Sequence, residues 1–344
     1  MVGVDEKRLG GMWTVANSFI NNDEFNENVN LYYVATSTCG TKFKRLFKMI
    51  CGYIEILYIL LLKKVDIVHI HMAEKGSVFR KGVIVYLSKM FNKKVVIQMH
   101  AGPILAWYDT LSNVIKKLVL TIFNKSDCML VLGEFWKKEL KQKIPEEKIK
   151  VIYNGGHITE DNLYNPDGKY ITYLGLMKKE KGIFDLIDAI SLIEKTLPTD
   201  IKICLCGVDE DDNVAHYIEK KELNKRFLLK GWVTEEERIK IFENTQMCVL
   251  PSYYEALSMT VIESMCYGIP MITTNITTMP EMLGGIIKLI EPGDVDGLAE
   301  LILNMSMSDL ERRRISEQEY EKAKKCFTVH QMILNTLAIY KKII

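Results

Sequence analysis

The chain has 344 residues, enough for two domains of ordinary size, and its apolar share of 48% supports packed cores. Its net charge of +1 is unevenly spread: residues 1–155 carry 23 Lys and Arg against 14 Asp and Glu, the remainder 22 against 30, so +9 and −8 sum to +1. A basic first half suits an anionic surface, such as a membrane leaflet or a lipid-linked phosphate, and no nucleic-acid motif accompanies the charge, so nucleic acid is not an expected partner. The eight cysteines show neither a disulfide framework nor metal-ligand spacing, as in a reduced cytoplasmic protein. Asp5, Glu6, Lys7 and Arg8, with no apolar run behind them, argue against a signal peptide.

In chain order, Gly10-Gly11-Met12 reads as a glycine turn after a first strand, with a helix from about Trp13 to Asn21. Only Met1 to Val4 remain for that strand, short of the usual ~5–6 residues, which predicts a stunted strand or a natural start further upstream. Val29 to Ala35 reads as a strand. Phe43 to Leu62 is apolar and aromatic, but Lys44, Arg45, Lys48 and Glu55 argue against a spanning helix of about 20 mostly apolar residues. A long helix with one buried face is expected there, with a helix lying in a membrane interface as the alternative. Asp66 to Met72 is a strand that puts His69 and His71 on one face. Lacking a third ligand, this pair reads as structural or as a pocket rim, and a polar loop, Ala73 to Arg80, follows. Val95 to His100 is a strand ended by Ala101-Gly102-Pro103. His100 therefore lies at a carboxyl strand end, where doubly wound sheets place their ligand crevice. Cys128 to Leu132 and Lys150 to Tyr153 add two strands, and the polar run from Gly156 to Gly168 reads as an interdomain linker. The domains are expected at 1–156 and 169–326.

The second half opens with a strand at Tyr170 to Gly175. A lysine-rich turn ending in Lys181-Gly182 leads into a helix with Ile183, Leu186, Ile187, Ile190 and Ile193 on one side. Ile201 to Gly207 is a strand with Cys204 and Cys206 in the core. Asp209-Glu210-Asp211-Asp212 after it reads as an acidic loop or helix start, not a metal site. Phe227 to Val233 is a strand and turn before a helix capped by Thr234. Ile286 to Ile290 reads as a strand, and Glu291-Pro292-Gly293-Asp294 opens a helix. Helices over Asp309 to Lys325 and Phe327 to Ile344 end the chain. The alternation of strand and helix in both halves predicts an α/β fold of two doubly wound, Rossmann-like units.

The most informative stretch is Met247 to Met282. It reads as a buried strand, a Pro251-Ser252 turn holding Glu255, and a helix opening near Ser258 and carrying Glu263. Gly268-Ile269-Pro270, a second strand and Pro280-Glu281 follow. The backbone N–H groups of Leu257, Ser258 and Met259 lie at the helix start, where they have no intrahelical partner and the helix dipole is positive, a suitable site for a phosphate. Carboxylates beside it suit sugar hydroxyls, because an ionised carboxylate only accepts hydrogen bonds.

This stretch resembles the donor-site signature of the retaining glycosyltransferases of the B-type fold, in particular the large family 4, or glycosyl transferases group 1. The His69-Ile70-His71-Met72 and Gly10-Gly11-Met12 segments are similar to those of its polysaccharide-assembly members. The resemblance implies two Rossmann-like domains facing across a cleft, with the final helix crossing back to the first. It implies transfer of a hexose from a nucleoside diphosphate sugar, UDP- or GDP-linked, to a glycan or lipid-linked hydroxyl with retained configuration, without metal or cofactor. Peripheral contact with the inner membrane leaflet is a further expectation. His100 matches the family's active-site histidine, and Gly11 its glycine turn. Lys181 matches a diphosphate-binding lysine, Glu255 a donor-sugar ligand, Glu263 a ribose ligand, and Val233 the turn near the base pocket. The family arginine five residues before that lysine is absent, since Leu176 stands there, removing a bidentate phosphate clamp. Thr277-Thr278-Met279 stands where relatives often carry glycines. Leu176 leaves open a non-catalytic partner subunit that binds nucleotide sugar without turnover. A sugar-nucleotide epimerase of the same fold is the other alternative.

Overall fold

The computed structural model describes residues 1–7, 10–100, 102, 104–209 and 213–344. In chain order the elements are β1 (Val2–Gly3), α1 (Gly11–Ile20), α2 (Asp23–Asn28), β2 (Val34–Ala35), α3 (Lys42–Leu62), β3 (Ile67–Met72), α4 (Gly76–Met90), β4 (Lys94–Met99), α5 (Ile104–Asp109), α6 (Asn113–Lys125), β5 (Cys128–Val131), α7 (Glu134–Leu140) and β6 (Ile149–Val151). They continue with β7 (Tyr170–Leu174), α8 (Ile183–Ile193), β8 (Lys202–Cys206), α9 (Val214–Lys220), β9 (Phe227–Gly231), α10 (Glu235–Phe242), β10 (Thr245–Leu250), α11 (Met259–Cys266), β11 (Met271–Thr273), α12 (Met279–Leu283), α13 (Val295–Met307), α14 (Asp309–Cys326) and α15 (Val329–Ile343).

The chain divides into two compact units, 1–155 with 329–344, and 156–328. The first holds a parallel sheet in the order β2-β1-β3-β4-β5-β6, the second a parallel sheet in the order β11-β10-β7-β8-β9. Strands β5 and β10 are buried along their whole length, as parallel strands covered by helices on both faces must be. In α8 the residues Ile183, Leu186, Ile187, Ile190 and Ile193 are all buried, each contributing roughly 1.5–3 kcal/mol of apolar transfer.

Several expected boundaries move. The first strand is two residues long, and of 29–35 only Val34 and Ala35 pair with it. Tyr33 turns inward instead, its hydroxyl donating to the Val4 carbonyl at 2.6 Å. Helix α4 begins inside the expected 73–80 loop, at Gly76. Residues 286–290 form no strand: a single bridge joins Thr274 to Ile290, too little for a ladder. In α3 only Gly52, Ile56 and Leu60 are buried, so most of its apolar residues face outward. The periodicity was apolar nearly all round, and the sheet uses one narrow stripe of it. Ala101, Pro103 and Glu210 to Asp212 lie outside the described residues, as does Arg8.

Residues 156–168 pack onto the second unit. Tyr164 donates its hydroxyl to the Gln246 carbonyl at 2.9 Å, and Asn162 donates to Ser316 Oγ at 3.0 Å. Arg312 on α14 anchors them: its guanidinium donates to the Met305 and Ser306 carbonyls at 2.7 and 3.0 Å, to the Pro166 carbonyl and to Tyr164 Oη. The first two carbonyls belong to the last turn of α13, where orphan acceptors and a negative dipole favour a cation.

The first sheet has a polar interior column. His69 and His71 stack at 4.9 Å, and His71 stacks on His100 at 5.0 Å. The Tyr340 hydroxyl bonds His69 Nδ1, and His69 Nε2 bonds Gln98 Oε1 at 3.1 Å; with the phenol kept protonated by burial, Tyr340 donates to Nδ1 and Nε2–H donates to the amide oxygen. His71 Nδ1 and His100 Nε2 share a hydrogen bond of 2.8 Å. Buried Lys81 donates to the His71 carbonyl. Burial pushes His69 and His100 down to about 3 and His71 well below its usual value; for His100 the Lys81 charge adds to the effect. All three are neutral imidazoles at pH 7.

Arg312→Met removes the guanidinium donors from the Met305, Ser306 and Pro166 carbonyls and is expected to destabilise the chain by about 2–4 kcal/mol, read as a lower urea midpoint. The histidines bind protons more weakly folded than unfolded. Their stabilising contribution is therefore complete above the unfolded value near pH 6.5 and is lost as pH falls from there toward 3. The unfolding free energy should fall across that window, by up to about 1.4 kcal/mol per pH unit for each titrating group. The fall should be shallower in His100→Gln, measured by urea titration at stepped pH.

Candidate functional site

Strand β10 delivers its chain at the carboxyl edge of the second sheet into the loop 251–258. Four contacts fix this loop. The Pro251 carbonyl lies so close to Gly182 that a Cβ there would sit 2.0 Å from its oxygen, and Gly182 has φ +69°, a conformation that favours glycine. Tyr253 donates its N–H to the Glu180 carbonyl at 2.9 Å. Thr274 donates its hydroxyl to the Ser252 carbonyl. Thr260, in the first turn of α11, donates to the Leu174 carbonyl at the end of β7 at 2.9 Å. The loop after β7 and the loop after β10 are thus one structure.

That juxtaposition sets the charges. Lys181 Nζ lies 2.6 Å from Glu255 Oε1, and Ser252 Oγ donates to the same oxygen at 2.9 Å. The Glu255 side chain is 9% exposed and that of Lys181 29%. Both hydrogen bonds fall on Oε1. The next residues reach the helix start: Ser258 is the N-cap, its hydroxyl accepting from Val261 N, and the first intrahelical bond runs from Ile262 N to Ser258 O. The N–H groups of Leu257, Ser258 and Met259 precede that bond, so the ammonium, the carboxylate and the amide cluster lie in one loop system. Gly268, at φ +67°, ends α11 and turns the chain toward Pro270 and β11.

Glu263 is placed differently. It sits one turn into α11 and pairs with Arg238 of α10 at 2.9 Å. Burial pushes its carboxyl above the usual range while Arg238 opposes the shift. Sequence reading missed Arg238, because the run Glu235-Glu236-Glu237-Arg238 looks like a solvated helix face. It also missed Ser252 as a partner of Glu255; the Ser-x-x-Glu spacing carried that signal. Val233 follows β9 and packs against the buried Cys204, Cys206 and Ile241, with Trp232 beside it half exposed. Thr234 forms a full capping box with Glu237.

Leu176 is 37% exposed, and its carbonyl accepts from Tyr173 Oη. Lys179 to Lys181 form a single 3-10 turn that ends at Gly182. Thr277 has φ +40°, a left-handed conformation that is strained for a β-branched residue. Its hydroxyl donates to the Glu255 carbonyl at 2.8 Å, and Thr278 donates to the Ala256 carbonyl at 3.3 Å. In the first unit, Gly11 opens α1 and His100 follows β4, its N–H donating to the Met72 carbonyl. Among the described residues no group of three or more His, Cys, Asp or Glu could hold a metal ion, and Asp209 caps α9 through Val214 N at 2.8 Å.

Comparison with known proteins bears on the family and the fold. Residues 157–322 match the family described as Glycosyl transferases group 1, and residues 18–158 match Glycosyltransferase Family 4. A protein of the cps region of Klebsiella pneumoniae is 22% identical over 99% of both chains. The O-antigen chain mannosyltransferase B of Escherichia coli is 26% identical over 50% of this chain and 45% of its own. Among solved structures, Anabaena HepE in complex with UDP and glucose superposes with a TM-score of 0.75 at 14% identity, over 99% of both chains. The lipopolysaccharide outer core galactosyltransferase WaaB gives 0.64 at 18% identity, over 99% and 98%. With the two family profiles together spanning residues 18–322, and with both parallel sheets in place, the chain belongs to the family 4, group 1 glycosyltransferases of the B-type fold.

Proposed function

We propose that the chain moves a hexose from a nucleoside diphosphate sugar to a hydroxyl acceptor with retention of configuration, in the assembly of a surface polysaccharide. The observation that carries the reading is the placement of Lys181 against Glu255 in the loop that opens α11. A leaving diphosphate at the Leu257–Met259 amides meets fixed N–H dipoles and an ammonium in a partly buried setting, where such charges stabilise a developing anion most. This arrangement neutralises the leaving group with protein groups alone, which supports a metal-independent reaction.

Glu255 Oε1 takes the hydrogen bonds from Lys181 and Ser252, leaving Oε2 to accept from donor-sugar hydroxyls. The bond from the anomeric carbon to the diphosphate oxygen breaks, the acceptor oxygen joins the same face of that carbon, and the acceptor proton passes to the departing phosphate oxygen. Glu263, held by Arg238, is assigned to the ribose hydroxyls, and Val233 to the turn near the base. His100, a neutral imidazole, and Gly11 are proposed to meet the acceptor and the reacting centre. The cps-region and O-antigen relatives support a glycan acceptor, which we take as free or lipid-linked, and the UDP-bound neighbour supports a UDP-sugar as the donor to test first, with GDP-sugars beside it.

The test is release of nucleoside diphosphate across a panel of UDP- and GDP-hexoses, with and without polyprenyl-linked glycan acceptors. Lys181→Ala and Glu255→Gln are each expected to lower kcat about 10²–10³-fold. Donor binding without turnover against any acceptor would instead favour a non-catalytic partner subunit. Leu176→Arg restores a guanidinium at the diphosphate and is expected to tighten donor binding several-fold, to about tenfold, by calorimetry. No change would indicate that a lysine of the same loop already fills that role.

A further inference from the structure

Helix α3 carries two apolar faces. One is buried through Gly52, Ile56 and Leu60 and is held against α4, where Tyr53 Oη donates to the Arg80 carbonyl at 2.7 Å. The other points outward. Phe43, Phe47, Ile50, Ile54, Leu57 and Leu61 recur at steps of four and three, so they share one stripe on the opposite side. Their exposure is large: 79% for Phe43, 62% for Phe47, 64% for Ile54 and 59% for Leu61. A solvated helix face is normally polar, and a continuous exposed apolar stripe marks a surface that meets something.

The charges on the helix decide what. Lys42, Lys44, Arg45 and Lys48 lie in its first two turns, interleaved with Phe43 and Phe47, and Lys63 and Lys64 follow its last turn; Glu55 is its one acid. A second copy of the chain is a poor occupant. Parallel pairing would set Lys42 and Lys44, which border the stripe on either side, against the same residues of the other copy. Antiparallel pairing would set them against Lys63 and Lys64. Both arrangements oppose like charges beside the seam. An anionic lipid leaflet matches both features at once: the stripe enters the boundary of the acyl chains while Lys42 and Lys44, about 100° to either side of it, reach the headgroup phosphates. Among the described residues no helix is long and apolar enough to cross a membrane, so α3 would lie in the surface plane.

We propose that α3 docks this chain on an anionic lipid leaflet through the Phe43–Leu61 stripe and its flanking cations. The proposal is independent of donor chemistry, and donor affinity should be the same in the variants below.

The experiment is co-sedimentation of the full chain with vesicles of phosphatidylcholine alone and of phosphatidylcholine mixed with phosphatidylglycerol, at low and high salt. The chain should bind the mixed vesicles at least about tenfold more tightly than the neutral ones, with loss of binding as salt rises. The triple variant Phe47→Ser, Ile54→Ser, Leu61→Ser should bind about tenfold or more weakly with an unchanged circular dichroism spectrum. Lys42→Glu with Lys44→Glu removes no apolar contact and should abolish the preference for phosphatidylglycerol, a second readout should the triple variant fold poorly. The proposal is overturned if the chain sediments with neither vesicle, or if both variants bind as the parent does. A concentration-dependent dimer dissolved by the triple variant would overturn it too, assigning the face to a second copy.

Discussion

One ion pair organises the second unit's functional edge. Lys181 belongs to the loop after β7 and Glu255 to the loop after β10, and their contact at 2.6 Å exists because the Gly182 backbone can lie against the Pro251 carbonyl. Any side chain at 182 would separate the loops and with them the charges. A partly buried pair of this kind has a desolvation cost that its attraction only roughly offsets, so it is weak evidence for stability. The pair also gives Glu255 a fixed orientation, with Oε1 held by both Lys181 and Ser252.

Thr277 and Thr278 fit the same frame. Thr277 occupies a left-handed conformation that costs a β-branched residue about 1–2 kcal/mol. It returns a hydrogen bond to the Glu255 carbonyl, and Thr278 does the same for Ala256. The strain is therefore tied to the loop that carries the carboxylate. Glycine would adopt the turn freely but would leave those carbonyls without hydroxyl donors.

The first unit solves a different problem. Its sheet carries a stack of three imidazoles ending at the half-buried His100, with Gln98 beside it; Tyr340 of α15 bonds His69, and Lys81 lies buried against the His71 carbonyl. Low polarity keeps the imidazoles neutral, so they act as hydrogen-bonding groups without positive charge. The same unit carries the outward apolar stripe of α3. Polar groups are thus drawn into the sheet while apolar ones are left on the surface.

Much of this was legible in the residues alone. The Ile183 to Ile193 spacing gave α8 its buried face, and the strand-turn-helix pattern around Glu255 gave the helix start and its cap at Ser258, because local spacing and capping chemistry are written in adjacent residues. His100 at its strand end was legible for the same reason. The partners were not. Arg238 for Glu263, Arg312 for the end of α13, and Tyr340 for His69 are separated by 25, 7 and 271 positions, and their pairing depends on how helices lie over a sheet. Which of the two apolar faces of α3 would be buried was also undecided, since both satisfy the helical period. Short-range order follows from backbone and side-chain chemistry within a few residues. The choice of contacts across the sheet, and of the face left to solvent, is made only when the strands fix where each helix must lie.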